Sequence, residues 1–146
     1  MNIIPGDRTF DLDEFLKKPL FAHLSTVAKE GPRESPVWFY WEDECIYIIG
    51  TPSDSFPKRI EENPECAIGI VDFDPVTGKV LHAGFRGHAT VEPFDRGVAH
   101  RLLERYVGPD QEEWDPMFQD LDDRNILIKF VPETVVVRDQ SYKSSY

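Results

Sequence analysis

The sequence predicts a mainly β protein with a few helices, built as a small antiparallel barrel, and three observations carry that expectation. Runs dense in β-branched and aromatic residues recur along the chain, among them Pro36–Trp41 and Cys45–Ile49. Stretches with turn chemistry, such as Lys29-Glu30-Gly31 and Asp74-Pro75-Val76-Thr77-Gly78, separate them. The long run Val80–Val91 carries Gly84 and Gly87 in its interior, which suggests bulges or barrel corners. Six or seven strands result, and the connections between them are too short to divide the chain into domains. A single domain over residues 1–146 is expected.

Residues 1–10 read as an extended arm. Asp11 to Lys18 opens with acids and closes with lysines, matching a helix dipole at both ends, and Pro19 stops it. Leu20–Ala28 alternates as a strand. The next runs are Ser35–Trp41 and Cys45–Thr51, joined by a turn at Trp41-Glu42-Asp43-Glu44. Asp54 or Ser55 caps a short helix with Pro57 in its first turn, ending at Asn63-Pro64. Cys66–Phe73 and Val80–Val91 follow as strands.

From Asp95 to Val107 the apolar residues Val98, Ala99, Leu102, Leu103, Tyr106 and Val107 recur at helical spacing, and Gly108-Pro109 ends the run. Gln111–Leu121 is expected as a second helix broken near Pro116. Ile126–Val131 and Thr134–Val137 are two last strands or one strand bent at Pro132. The tail QSYKSSY is polar and expected to fray.

Composition narrows the function classes. With 16 Lys and Arg against 27 Asp and Glu the net charge is −11, and no basic run exceeds pairs such as Lys17-Lys18 and Lys58-Arg59. Nucleic acid and anionic membrane are therefore not expected partners. Cys45 and Cys66 sit in apolar runs as small hydrophobes, with no metal-ligand or CxxC spacing. The N-terminus has acids where a signal peptide needs a basic region, and no apolar run approaches the ~20 residues of a membrane span. A soluble cytoplasmic protein is expected.

Two stretches have the chemistry of a ligand site. In Thr51–Arg59 hydroxyls precede two cations at a strand-to-helix junction, so Thr51, Ser53 or Ser55 with Lys58 or Arg59 can hold a phosphate ester. An ordinary helix start with solvated cations has the same pattern. GxxxxGK[ST] and GxGxxG are both absent. In Arg33–Trp41 the aromatics can line a flat π-ligand or simply fill the core. His23, His82, His88 and His100 show no metal spacing, no serine or cysteine stands in a nucleophile elbow, and no acid–base dyad is visible. Any catalysis here needs a cofactor to bring the reactive centre.

Over about Phe15 to Asp139 the chain resembles the pyridoxamine 5′-phosphate oxidase-like family of flavin-binding split barrels. The resemblance rests on the order and spacing of several segments. They are Ala22-His23-Leu24-Ser25-Thr26-Val27, Ser35-Pro36-Val37-Trp38-Phe39, Ile46–Thr51, and Ala83–Val91 with its two glycines. Arg105-Tyr106-Val107-Gly108, Trp114, Arg124 and Ile128–Pro132 resemble the subgroup containing deazaflavin-dependent reductases.

The resemblance implies an antiparallel split β-barrel, a homodimer with FMN at the subunit interface, and oxidoreductase chemistry on a small-molecule substrate. Carried over residue by residue, it implies cofactor binding by Arg33, Pro36, Val37, Trp38, Gly50, Thr51, Ser55, Lys58 and Arg59. The alternatives are an F420-dependent reductase and a non-catalytic flavin- or haem-binding protein. Two departures stand out. The family's phosphate-binding lysine falls at Phe56, so Lys58 or Arg59 must substitute or the grip is weaker. The C-terminal substrate motif of true pyridoxamine phosphate oxidases is missing, which argues against vitamin B6 oxidation.

Overall fold

Hydrogen bonding in the computed structural model, which describes residues 1–146 apart from Pro5 and Asp7, joins all its strands into one sheet. The expected arm at residues 1–10 includes those two positions, which lie outside the described residues. Its first part forms β1 (Asn2–Ile4), parallel to the last strand. The others are β2 (Ala22–Ala28), β3 (Gly31–Val37), β4 (Tyr40–Glu42), β5 (Cys45–Gly50), β6 (Glu65–Asp74), β7 (Lys79–Pro93) and β8 (Ile126–Asp139). The order is β3-β2-β6-β7-β8-β5-β4, antiparallel throughout this path. The ladder stops at β3 and β4 and does not close, so the architecture is a mainly antiparallel split barrel.

The strand count departs from the expectation in two places and decides between the alternatives in a third. The three residues of β1 are too few to show a period. The run Ser35–Trp41 is not one strand: it divides at Trp38 and Phe39 into β3 and β4. The backbone N–H and C=O of Phe39 bond side chains of a helix instead of a neighbouring strand. At the other end, Ile126 to Asp139 is one strand, bent at Pro132. Arg86 pairs Thr134 and Gly87 pairs Pro132, so Glu133 is the extra residue of a bulge. The bulge accommodates a proline that has no N–H to offer the ladder.

Three helices complete the fold: α1 (Leu12–Leu16), α2 (Phe56–Glu62) and α3 (Arg96–Val107). Asp11 and Asp95 cap α1 and α3 by accepting from the third amide beyond them, Glu14 N and Val98 N. Gln111–Leu121 is not a helix. It contains two 3₁₀ turns, Gln111–Glu113 and Pro116–Phe118, with Trp114 extended between them. Asp110 and Asp115 each capture an amide two residues on, and Pro116 contributes no N–H, so a continuous α ladder cannot pass.

The tail does not fray as expected. Gln140 N donates to Val80 O at 2.8 Å, Tyr142 N to Gly78 O at 2.9 Å, and Ser144 Oγ to Pro75 O at 2.8 Å. It lies along the β6–β7 hairpin, where Gly78 has a φ of 80°.

The core lies inside the curved sheet. Phe39, Phe85, Phe130, Ile46, Ile48, Leu24, Ile68 and Ile70 are buried there, closed by Phe15 and Leu16 from α1 and by Phe56 and Ile60 from α2. Both cysteines are free: Cys66 is buried in this core, which pushes its thiol up to about 11, and burial also raises that of Cys45. A second cluster of Leu102, Leu103 and Trp114 packs with Trp38, Tyr106 and Phe118 outside the sheet. Among the described residues, no helix is long and apolar enough to cross a membrane.

Gly87 is required by this geometry. A Cβ built there falls inside contact distance of the Val131 carbonyl oxygen and the Pro132 Cα, both backbone atoms held by the bulge. Gly87→Ala is expected to lower the stability of the chain by roughly 1–3 kcal/mol. Gly69→Ala, where a Cβ meets nothing within 4 Å, is expected to change it by less than about 0.5 kcal/mol. Urea unfolding midpoints of the two variants check this.

Candidate functional site: two cavities meeting at Ser55

The split in the barrel is the place where sequence-predicted site residues gather. The first cavity, about 540 Å³, is lined on one side by the edge strand β3 and its continuation: Pro36, Val37 and Trp38. Thr51 and Ser55 form its floor. Leu102, Leu103, Phe118 and Leu121 close the far side. Its size is that of an ordinary cofactor or substrate cleft, and its walls are mostly apolar. The second cavity, about 500 Å³, lies on the other side of Ser55 and is lined by Arg33, Ser55, Lys58 and Arg59, with Glu30 and Glu62. Ser55 lines both. Gly50 lines neither; it is buried at the end of β5, where a Cβ would stand 2.7 Å from Ile126 Cδ1 and 3.3 Å from Pro57 Cγ.

Trp38 is held as a rigid wall. Its ring stacks on Tyr106 with centroids 4.6 Å apart and planes 4° from parallel, and Phe118 tilts against it at 5.6 Å. Tyr106 is itself pinned. Its hydroxyl donates to Leu20 O at 2.7 Å and accepts from Phe39 N at 3.1 Å, and burial raises its phenol above the usual value. The neighbouring Arg105 guanidinium donates to Phe39 O, to Leu16 O at 2.9 Å and to Lys18 O at 2.7 Å. Burial pulls its affinity for the proton down from the ordinary arginine value.

The junction after β5 differs from a simple ring of free hydroxyls. The Asp54 carboxylate accepts from both Thr51 N (2.8 Å) and Thr51 Oγ1 (2.9 Å), and Ser53 Oγ stands 3.0 Å from Thr51 Oγ1. Thr51 is thereby committed within its own loop. Ser55 stands at the helix N-cap but makes no capping bond; its Oγ accepts from Arg59 Nη1 at 2.8 Å. Arg59 Nε donates to Thr26 Oγ1 at 2.7 Å. Arg59 is thus oriented by two neutral hydroxyls. Among the described residues, Arg33, Lys58 and Arg59 have no carboxylate oxygen within 4.0 Å. Phe56, where the family's lysine was expected, is 4% exposed and packs in the core.

Several residues of the first cavity were not legible in the sequence. Leu102 and Leu103 read only as helix core, and Phe118 and Leu121 reach the cleft because Gln111–Leu121 is two 3₁₀ turns. Glu34 carries no site signal of its own in the sequence. It lines the first cavity and its Oε1 stands 2.6 Å from His23 Nδ1 across the β2–β3 pair, so an imidazole–carboxylate pair exists at the rim. The register that makes it, His23 opposite Pro36 and Ser25 opposite Glu34, follows from where the turn sits. His88 pairs with Glu133 and His100 lies near Glu104, while burial, with Arg138 nearby, lowers the His82 imidazole. Among the described residues no group of three ligating side chains could hold a metal.

Residues 10–131 match the model of the family described as pyridoxamine 5′-phosphate oxidase. The chain belongs to the pyridoxamine 5′-phosphate oxidase family. No curated protein matches it in sequence. Solved structures of similar fold include a conserved hypothetical protein from Mycobacterium tuberculosis, at 19% identity and a TM-score of 0.73, covering 92% of this chain and 88% of that one. An F420 reductase is 26% identical with a TM-score of 0.63, covering 90% of this chain and 98% of that one. The haem storage protein HutZ from Vibrio cholerae is 19% identical with a TM-score of 0.68, covering 89% and 93%. Within the family architecture, the break between β3 and β4 sets the edge of the first cavity, and Arg105 and Tyr106 hold that break open.

Arg105→Met leaves at least three carbonyls without their charged donor. It is expected to lower stability by about 3 kcal/mol and to shift the near-ultraviolet circular dichroism of the Trp38–Tyr106 stack. Tyr106→Phe, which keeps the stacked ring, is expected to cost about 1–2 kcal/mol with little change in that spectrum. Thermal and urea unfolding followed at both wavelengths distinguish the two effects.

Proposed function

We propose that this chain is an FMN-binding oxidoreductase acting on a small organic molecule, working as a homodimer. The observation that carries the reading is the pair of cavities meeting at Ser55, one cationic and one apolar. A flavin mononucleotide has the same division: a dianionic phosphate at one end and a planar tricycle at the other. Arg33, Lys58 and Arg59 would hold the phosphate, with Arg59 already aimed by Thr26 and Ser55. Pro36, Val37 and Trp38 would bound the ring, Trp38 fixed in place by Tyr106. Bound flavin supplies hydride and single-electron transfer, which no side-chain set in this chain provides by itself.

The residues present fit the group. Three cations face one cavity with, among the described residues, no ion-pair partner, inside a chain of net charge −11. Glu30 and Glu62 line the same cavity and reduce its net charge to about +1, so the grip is moderate. With Thr51 committed to Asp54 and Phe56 in the core, the phosphate end rests on Lys58 and Arg59. The dimer reading is supported by an apolar outer surface on β2 and β6. Val27 of β2 is 43% exposed, Val71 and Phe73 of β6 45% and 55%, and Phe21, just before β2, 52%.

A second reading is favoured by one observation, the 26% identity to an F420 reductase. In that reading the same cavities take a deazaflavin, and the acidic chain disfavours its polyanionic tail.

Mass spectrometry of what denaturation releases from freshly purified protein, with its absorbance spectrum, tests the proposal. FMN is expected. F420 in its place moves the reading to the deazaflavin, and neither bound nor added FMN binding removes it. Lys58→Ala with Arg59→Ala is expected to weaken FMN binding at least about tenfold, or about 1.4 kcal/mol; unchanged affinity would take both residues out of the site. Light scattering is expected to give about twice the 16.9 kDa chain mass.

A further inference from the structure

A third cavity, about 420 Å³, lies behind α3 and the two 3₁₀ turns, on the far side of Phe118 and Leu121 from the first. Its lining carries Arg96, Arg101 and His100, and, among the described residues, no Asp or Glu. In a chain with 27 acids and 16 Lys and Arg, a cavity wall without a carboxylate is a departure from the average surface. The acids nearby stand outside the wall: Glu42 bonds Arg101 Nη2 at 3.3 Å, Glu104 lies 3.7 Å from His100, and Asp95 caps the helix. The other edge of the Arg101 guanidinium lies over Gly97. A Cβ there would stand 3.3 Å from Nη1, so the glycine leaves that edge in place at the cavity wall.

The remaining lining is aromatic and neutral-polar. Trp114 is 4% exposed, anchored by Nε1 to Gly108 O at 2.8 Å, and its ring tilts against His100 at 5.1 Å. Phe118 forms the partition with the first cavity. Gln119 is held by a 2.6 Å bond from Nε2 to Trp114 O, which leaves its side-chain oxygen as an acceptor.

We propose that this cavity binds a planar aromatic carboxylate. The ring would lie between Trp114 and Phe118, and the carboxylate would face Arg96 and Arg101, since a guanidinium edge matches a carboxylate in two parallel hydrogen bonds. Aromatic walls with two exposed arginines at the rim favour a flat anion over an aliphatic one. The site stands on its own residues and does not depend on which cofactor, if any, fills the first cavity.

Titration calorimetry of the full chain with naphthalene-2-carboxylate, and with its neutral amide, is the test. One saturable site is expected, with the amide at least about tenfold weaker and the affinity insensitive to added FMN. Arg96→Gln, at an exposed residue, is expected to leave the circular dichroism unchanged and to weaken the acid severalfold, and the double variant with Arg101→Gln at least about tenfold. Absence of saturable binding would overturn the proposal. So would equal affinity for acid and amide, or affinity unchanged in both variants. Competition with FMN that Arg96→Gln does not alter would place the ligand in the first cavity and overturn it as well.

Discussion

The structure depends on what happens at the two peptide groups of Phe39. At that point the chain leaves one edge strand and starts the other, and a sheet would normally satisfy its N–H and C=O across a ladder. Here Tyr106 and Arg105 of α3 satisfy them instead. The same guanidinium reaches the carbonyl of Leu16, the last residue of α1, and that of Lys18 just beyond it, groups that a helix end leaves without partners. One half-buried cation therefore ties α1, α3 and the β3–β4 break into a single unit. Phe39 itself turns inward and is fully buried, while Trp38, one residue earlier, turns outward onto Tyr106. The cleft exists because the barrel is held open there.

Charge in this protein is organised locally. A net charge of −11 sets a repulsive field for anions at long range, but that field is screened over about 8–10 Å in physiological salt. Inside a cavity the nearest groups decide. Arg33, Lys58 and Arg59 face one cavity, where Glu30 and Glu62 offset only part of their charge, and Arg96 and Arg101 line another whose wall, among the described residues, has no carboxylate. An average over the whole sequence hides both places.

Much of the fold was legible in the sequence because it follows from local chemistry. Strands β2, β5, β6 and β7 are dense in apolar residues at period two, α2 has Pro57 inside its first turn and a stop at Asn63-Pro64, and α3 has a helical apolar stripe with Gly108 beyond it. Two of the misses share a cause: a tertiary partner overrode a local preference. The aromatic run at Ser35–Trp41 has every feature of one strand, and only the distant Arg105 and Tyr106 break it. The polar tail reads as free until the β6–β7 hairpin offers it carbonyls. For Gln111–Leu121 the warning was local, since Asp110, Asp115 and Pro116 favour caps and turns over a helix interior. Of the candidate site, the residue types were legible and their grouping was not. Arg33 and Lys58 share a cavity because α2 packs on β2, whose edge neighbour is β3, which no spacing in the sequence discloses.

The loop Thr51–Ser55 shows how a motif of the right composition can divide its labour. Thr51, Ser53 and Ser55 read as three equivalent hydroxyls. The Asp54 carboxylate removes that equivalence, because it accepts from the amide and the hydroxyl of Thr51 together and places a negative charge on that side of the loop. An anion is then repelled from Thr51 and drawn past Ser55 toward Arg59, whose Nε and Nη1 are fixed while Nη2, among the described residues, has no protein acceptor. Phe56 completes the arrangement from below. Its burial beside Ile60 seats α2 against the sheet and turns Lys58 and Arg59, two and three residues on, away from the core and toward the second cavity. A lysine at position 56 would have to leave that core, so the cationic edge and the packed edge of α2 are two consequences of one helix phase.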